Sequence, residues 1–381
     1  MSSNRSIFED VDEKASGVKQ TTTGVINRGY YTGARGSIRY WLMALFTLVV
    51  VMIAVGGLTR LTDSGLSITE WRPITGAIPP MSADAWDVEF QKYQKIPEYQ
   101  IQNFGMSIEE FKVIYWWEWG HRQLGRIIGF VWALGFAFFF FKRAIPIGWT
   151  NRLLLLGLLG GLQGAVGWWM VASGLQFERL DVASYRLATH LGIAFVIVGY
   201  IAWFIQLLGK REHDLIKLKR SRNAGLFQST SILLYLGYLQ ILLGALVAGI
   251  DAGRAYTDWP LMAGGFFPPD PFSLSPIWRN FFEDYGLVQF MHRMSGYLLF
   301  AFGLFIWWRS KSSGNQDIRT SFNFVIVVML LQMFLGVMTV LYAAPWYFAI
   351  IHQLGAVLMW IAILRARFIT GYPPQNRIRS R

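Results

Sequence analysis

The sequence predicts an all-α integral membrane protein with eight transmembrane helices, arranged as two four-helix bundles related by a pseudo-two-fold axis. Three observations carry this reading. Hydrophobic residues make up 54% of the 381-residue chain and charged residues only 15%, well below the roughly 25% charge of a soluble domain. The apolar residues fall in eight blocks, each near the ~20 residues that cross a bilayer. The last four blocks echo the first four, as in membrane folds built from duplicated halves.

Residues 1–38 carry Glu9, Asp10, Asp12 and Glu13 and no apolar core, so they read as a polar cytoplasmic arm and not as a secretory signal. The spans fall at about 40–59, 119–141, 152–173, 187–208, 229–249, 287–308, 322–343 and 347–366. They define an N-terminal bundle over 39–208, a basic cytoplasmic linker over 209–228, a C-terminal bundle over 229–367 and a cytoplasmic tail over 368–381. An even number of spans puts both termini on one side. With the loops near 142–152, 209–228 and 309–321, that side holds 23 of the 35 Lys and Arg but 7 of the 23 Asp and Glu. By the positive-inside rule it is cytoplasmic, and the long loops 60–118 and 250–286 face outward. The expected location is the bacterial inner membrane, ahead of the mitochondrial one. The net charge of +12 is thus a matter of topology: lipid is the expected surroundings and no nucleic-acid partner is implied. With no cysteine in the chain, disulfides, thiol redox chemistry and iron–sulfur sites are excluded.

The repeat is specific. Gly56, Asp63, Gly65, Thr69, Trp71 and Gly76 recur as Gly244, Asp251, Gly253, Thr257, Trp259 and Gly264. His121-Arg122 with Gly125 matches His292-Arg293 with Gly296; Gln163 and Gly167 match Gln332 and Gly336; His190 and Gly192 resemble His352 and Gly355 with a one-residue slip. An even number of spans per half makes the repeats parallel.

Of the five histidines, His213 sits in the basic linker and reads as a solvated surface residue. The other four lie near the outer ends of apolar spans, where an ionisable group is costly and marks a functional interior. Interhelical hydrogen bonding and a proton relay would each explain isolated intramembrane histidines. Four in repeat register point instead to iron: two imidazoles from facing helices can supply both axial ligands of a haem. The pairs are His121 with His190 and His292 with His352. Gly120, Gly125, Gly192, Gly296 and Gly355 are candidates for letting a flat macrocycle approach the backbone, although small residues also serve ordinary helix packing. Arg122 and Arg293 are candidate propionate contacts, with snorkelling to lipid headgroups as the alternative. The halves differ at one place: Glu118 lies one turn before His121, while the matching position is Gln289, which cannot exchange a proton. One site is therefore equipped for proton-coupled chemistry and the other for electron transfer.

From about Trp41 to Arg367 the chain also resembles the haem A synthase family, which oxidises haem O to haem A for terminal oxidases. The most specific segment is Gly56-Gly57-Leu58-Thr59-Arg60-Leu61-Thr62-Asp63-Ser64-Gly65-Leu66-Ser67-Ile68-Thr69-Glu70-Trp71, followed by Pro73, Gly76 and Pro79-Pro80. Glu118-x-x-His121-Arg122 and the later histidines agree with the pattern. The missing outer-loop cysteine pairs place it nearest the cysteine-free class of mitochondria and related proteobacteria. The resemblance implies a resident haem b on His292 and His352 and substrate haem O near His121 and His190. It also implies oxidation of a porphyrin methyl to a formyl group with oxygen from water, and Glu118 as the essential acidic residue. A redox partner such as a ferredoxin-like protein, haem O synthase and oxidase-assembly proteins are the partners to be expected; the oligomeric state is left open. A diheme b-type electron-transfer cytochrome and a haem carrier or exporter are the competing functions.

Overall fold

The computed structural model describes residues 30–175 and 180–374, so residues 1–29 of the expected arm and 375–381 of the expected tail lie outside the described residues. Among these residues there are eleven α-helices and no β-strand: α1 (Tyr30–Leu61), α2 (Ala83–Tyr93), α3 (Ile108–Phe141), α4 (Thr150–Gly174), α5 (Ser184–Leu208), α6 (Glu212–Arg220), α7 (Ala224–Gly249), α8 (Asn280–Glu283), α9 (Tyr285–Ser310), α10 (Gln316–Leu341) and α11 (Trp346–Gly371). Seven of them, α1, α3, α4, α5, α7, α10 and α11, are long and apolar enough to cross a membrane. Helix α9 is as long, at 26 residues, but it carries Gln289, His292, Arg293 and Arg309 and falls outside that set.

Several boundaries lie beyond the apolar blocks, for local reasons. Residues 30–38, expected in the polar arm, begin α1. The Arg35 guanidinium donates to the carbonyls of Leu207 (3.0 Å) and Lys210 (2.8 Å), tying the start of α1 to the end of α5. Extending an existing helix then adds one hydrogen bond per residue fixed. Helix α3 starts eleven residues before its apolar run because Ser107 and Glu110 form a capping box: Ser107 Oγ accepts from the Glu110 N–H, and Glu110 accepts from the Ser107 N–H (2.8 Å). The linker 209–228 is not all loop. It contains α6, which opens on Glu212 and Asp214 and ends on Lys217, Lys219 and Arg220, the arrangement that complements a helix dipole. Asn223 then caps α7 through the Leu226 N–H (3.0 Å).

Helix α1 packs against α3 and α5, α3 against α4, and α4 against α5. In the second half α7 packs against α9 and α11, α9 against α10, and α10 against α11. Contacts of α5 with α7, α5 with α11 and α1 with α11 join the halves. Trp360 of α11 is buried at this seam and donates its indole N–H to the Phe195 carbonyl of α5 (3.0 Å).

At one end of the seam Arg60 is the shared cation of three carboxylates: Asp63 (2.9 Å), Asp181 (3.4 Å) and Asp251 of the other repeat (2.8 Å). Asp63 and Asp251 both adopt the left-handed backbone conformation, with φ of 47° and 54°, which Asp tolerates better than most residues. Arg60 is mostly buried while the acids are nearly half exposed, so Arg60→Gln is expected to destabilise the protein by on the order of 1–2 kcal/mol, between surface and buried pairs. Thermal unfolding in detergent at low and high salt measures this, and the loss should shrink as salt screens the remaining acids.

Paired histidines and their outer loops

Glu118 and Arg122 lie one turn apart on α3 and together grip the loop that follows α1. Glu118 is 3% exposed. Its Oε2 accepts from Ser67 Oγ (2.8 Å) and the Ile68 N–H (2.7 Å), and its Oε1 accepts from Arg122 Nε (3.0 Å) and Nη2 (2.5 Å). Arg122 also donates to the carbonyls of Glu70 (2.9 Å) and Ile68 (2.8 Å), with its guanidinium over Trp168. The carboxylate is thus turned to the loop and held by charge-assisted bonds.

The second half repeats the device without the ion pair. Gln289 donates to the carbonyl of Tyr256 (3.0 Å), the repeat counterpart of Ile68; Arg293 donates to Tyr256 (3.0 Å) and Leu261 (2.9 Å). Gln289 Oε1 and Arg293 Nε are buried without a partner. Both arginines named as candidate propionate contacts therefore spend much of their donor capacity on loop carbonyls. Arg72, Trp71 and Trp259 belong to these loops: Arg72 pairs with Glu70, Trp71 stacks on Trp168, and Trp259 donates to Tyr297 (2.8 Å).

Each intramembrane histidine faces a glycine on the preceding long helix. A Cβ on Gly56 would lie 3.2 Å from Cε1 of His121, one on Gly167 2.8 Å from His190, one on Gly244 3.0 Å from His292 and one on Gly336 3.0 Å from His352. These are not the glycines picked from sequence. Gly120 has open space, Gly125 meets Met52, Gly192 meets Leu242 and Tyr238, Gly296 meets Gln240, and Gly355 meets Gln332. The four that matter were visible as repeat pairs, but which face of a helix meets an imidazole depends on how the helices rotate against each other. Three histidines also have their backbone carbonyls held by glutamines: Gln163 to His190 (3.0 Å), Gln240 to His292 (3.1 Å) and Gln332 to His352 (2.7 Å). Gln240 was missed, since its repeat counterpart is Met52 and the pattern breaks there. His121 and His190 lie within electrostatic range of each other, as do His292 and His352. His190 and His352 keep a buried Nδ1 without a partner. His213 is exposed beside Asp214, as a surface residue should be.

The first half carries a helical outer cap over residues 81–107. Tyr93 at the end of helix α2 and Ile96 before a π-helical turn, Glu98–Gln102, pack in one apolar cluster with Phe111 and Tyr115 of α3 and with Leu66 and Ile68. Within it Glu98 is 3% exposed and accepts from Tyr93 Oη (2.7 Å), which accepts in turn from Asn103 Nδ2 (2.8 Å). Burial is the main reason that the Glu98 carboxyl is pushed up to about 8; Asp181, Asp63 and Glu118 add repulsion, and the Tyr93 bond opposes it. Burial likewise raises Asp181, against the pull of Arg60.

The chain belongs to the cytochrome oxidase assembly protein family, whose model matches residues 39–364. It is 63% identical over 380 residues to "Heme A synthase" of Dinoroseobacter shibae, covering 100% of this chain and 99% of the relative. It is 58% identical over 380 residues to the protein of that name from Ruegeria sp., covering 99% and 100%. It is 52% identical over 376 residues to that of Paracoccus denitrificans, covering 99% and 98%.

Glu98 makes a pH prediction. Its folded-state pKa lies above the ordinary 4.5, so between 4.5 and about 8 the folded protein holds a proton that the unfolded chain has lost. Stability of the cap therefore falls as pH rises through that window. Glu98→Gln should flatten this fall and leave the cap more resistant than the parent at pH 9. Limited proteolysis of the 81–107 region across pH 6–9 would show it, and an unchanged profile would refute it.

Proposed function

We propose that this chain is a haem A synthase, an oxidoreductase that converts haem O to haem A in the assembly of terminal oxidases. In this reading eight helices span the membrane as two four-helix bundles, α1 with α3–α5 and α7 with α9–α11. The closed contacts within each set support it, and α9 counts as a span by its length, with Gln289, His292 and Arg293 taken up by partners within the protein. Haem O is the substrate of the first half, near His121 and His190; haem b is the cofactor of the second, on His292 and His352.

The observation that carries the reading is the fourfold seat of an imidazole on bare glycine backbone, paired within each half. An iron already held in a porphyrin takes only two axial protein ligands. Among the described residues no three His, Asp or Glu side chains converge as a metal site, so paired histidines suit haem better than a bare ion. The orphaned Nδ1 atoms of His190 and His352 fit such a group, and Gly56, Gly167, Gly244 and Gly336 seat the rings that would hold it. When bound, haem b supplies a one-electron redox centre.

Turning a methyl into a formyl group with oxygen from water releases protons along with electrons. Glu118, one turn from His121, takes a proton in this reading, and the rotatable Ser67 hydroxyl is the donor most readily released when it does so. Arg122 and Ile68 keep the carboxylate in place, while Gln289 leaves the second half without a base. The electrons pass to a redox partner, for which a ferredoxin-like protein is one candidate. The charge division supports a cytoplasmic side for both termini, and the bacterial relatives favour the bacterial inner membrane. Haem O synthase and oxidase-assembly proteins are the partners that this activity needs nearby.

Protein purified from cells that make haem O should yield haem B together with haem O or A on extraction. Haem B alone, in two equivalents and with no conversion of added haem O, would favour a diheme cytochrome. Glu118→Gln should lower turnover about 100-fold or more with haem content preserved; full turnover would remove the proton role.

A further inference from the structure

The residue after His352 reaches across the seam to the helix that seats His121. Gln353 follows His352 on α11 but reaches into the other half. Its Nε2 donates to the Ile53 carbonyl of α1 (2.7 Å), and a methyl on Gly57, one turn further along α1, would overlap its amide. The next residue back is Gly56, whose bare backbone seats His121. From His352 to His121 the connection therefore runs through one amide and one turn of α1.

The repeat does not reproduce this bridge. Gln353 corresponds to Leu191 and Gly57 to Ala245, and at the α5–α7 contact these two lie in one apolar cluster. A duplicated interface is thus apolar on one side and hydrogen-bonded on the other. An amide between apolar helices costs free energy unless it is paired, and its pairing here fixes both the rotation and the height of α1 against α11.

We propose that Gln353 is a positioning residue that couples the two histidine pairs, holding the Gly56 seat of His121 in register with His352 so that occupancy of one pair sets the geometry of the other. This rests on the reading of the histidines as haem ligands. Gly57 is the complementary half of the device, since only a residue without a side chain leaves room for the amide.

The test uses the full-length chain with its haems bound, reading haem retained per protein and the low-spin electron paramagnetic resonance signal of each pair. The signals are assigned beforehand with His190→Ala and His352→Ala. Gln353→Leu should shift the signal of the His121/His190 pair and lower haem retention there about fivefold or more, the ordinary scale of coupling between sites. Gln240→Leu, which touches His292 within its own half, should shift only the other signal. Gly57→Ala should mimic Gln353→Leu and add nothing in a Gln353→Ala background, because both changes break one contact. If Gln353→Leu does not fold, Gly57→Ala against Gln353→Ala poses the same question. An unshifted His121/His190 signal in either variant, or fully additive effects, overturns the coupling while leaving the haem reading intact. Parent protein that binds no haem through these histidines overturns both.

Discussion

The costly constraint in this molecule is the placement of four imidazoles inside apolar helices. Each such group needs a setting that neither crowds it nor leaves it facing lipid, and the chain solves this in the same way four times. The helix before each histidine presents glycine, so that bare backbone lies behind the ring. Helix spacing, the choice of neighbours and the glutamines on three of the four histidine carbonyls all follow from that close approach.

The outer loops depend on the same helices. Arg122 and Arg293 each take loop carbonyls one residue after a histidine, so the lids over the two sites are anchored to the elements that carry the rings. In the first half this anchor is ionic, with Glu118 clamped between Arg122, Ser67 and Ile68. In the second half Gln289 gives a neutral version. The same pair of positions thus fastens a loop in both halves, with a titratable side chain in only one.

Much of the site was legible because polar residues in apolar spans stand out: the histidines, the arginines after them and the Glu118/Gln289 contrast were all readable from pattern. The partners of those residues were not. Arg122 and Arg293 bind backbone carbonyls, which every residue has and no sequence advertises. The glycines behind the rings were visible as repeats, but their role depends on helix rotation; of the glycines nearest the histidines in sequence, Gly120 faces open space and Gly125, Gly192, Gly296 and Gly355 face other side chains. In the fold, the long helices were evident from hydropathy. Their true ends were not, because Arg35 and the Ser107–Glu110 box extend helices into polar sequence. Helices α2 and α6 are too short and too polar to register as apolar blocks.

The Arg60 cluster has a bearing on how far a gene-doubled chain can remain the same in its two copies. Asp63 and Asp251 are matched positions, and both bind one guanidinium. The position matched to Arg60 is Ala248, so the second copy brings a carboxylate to the cluster and no guanidinium of its own. Neither copy completes the cluster alone: one cation from the first half answers acids from both. The two copies have thus become unlike at the very place where they meet, and each now depends on the other for a neutralising partner.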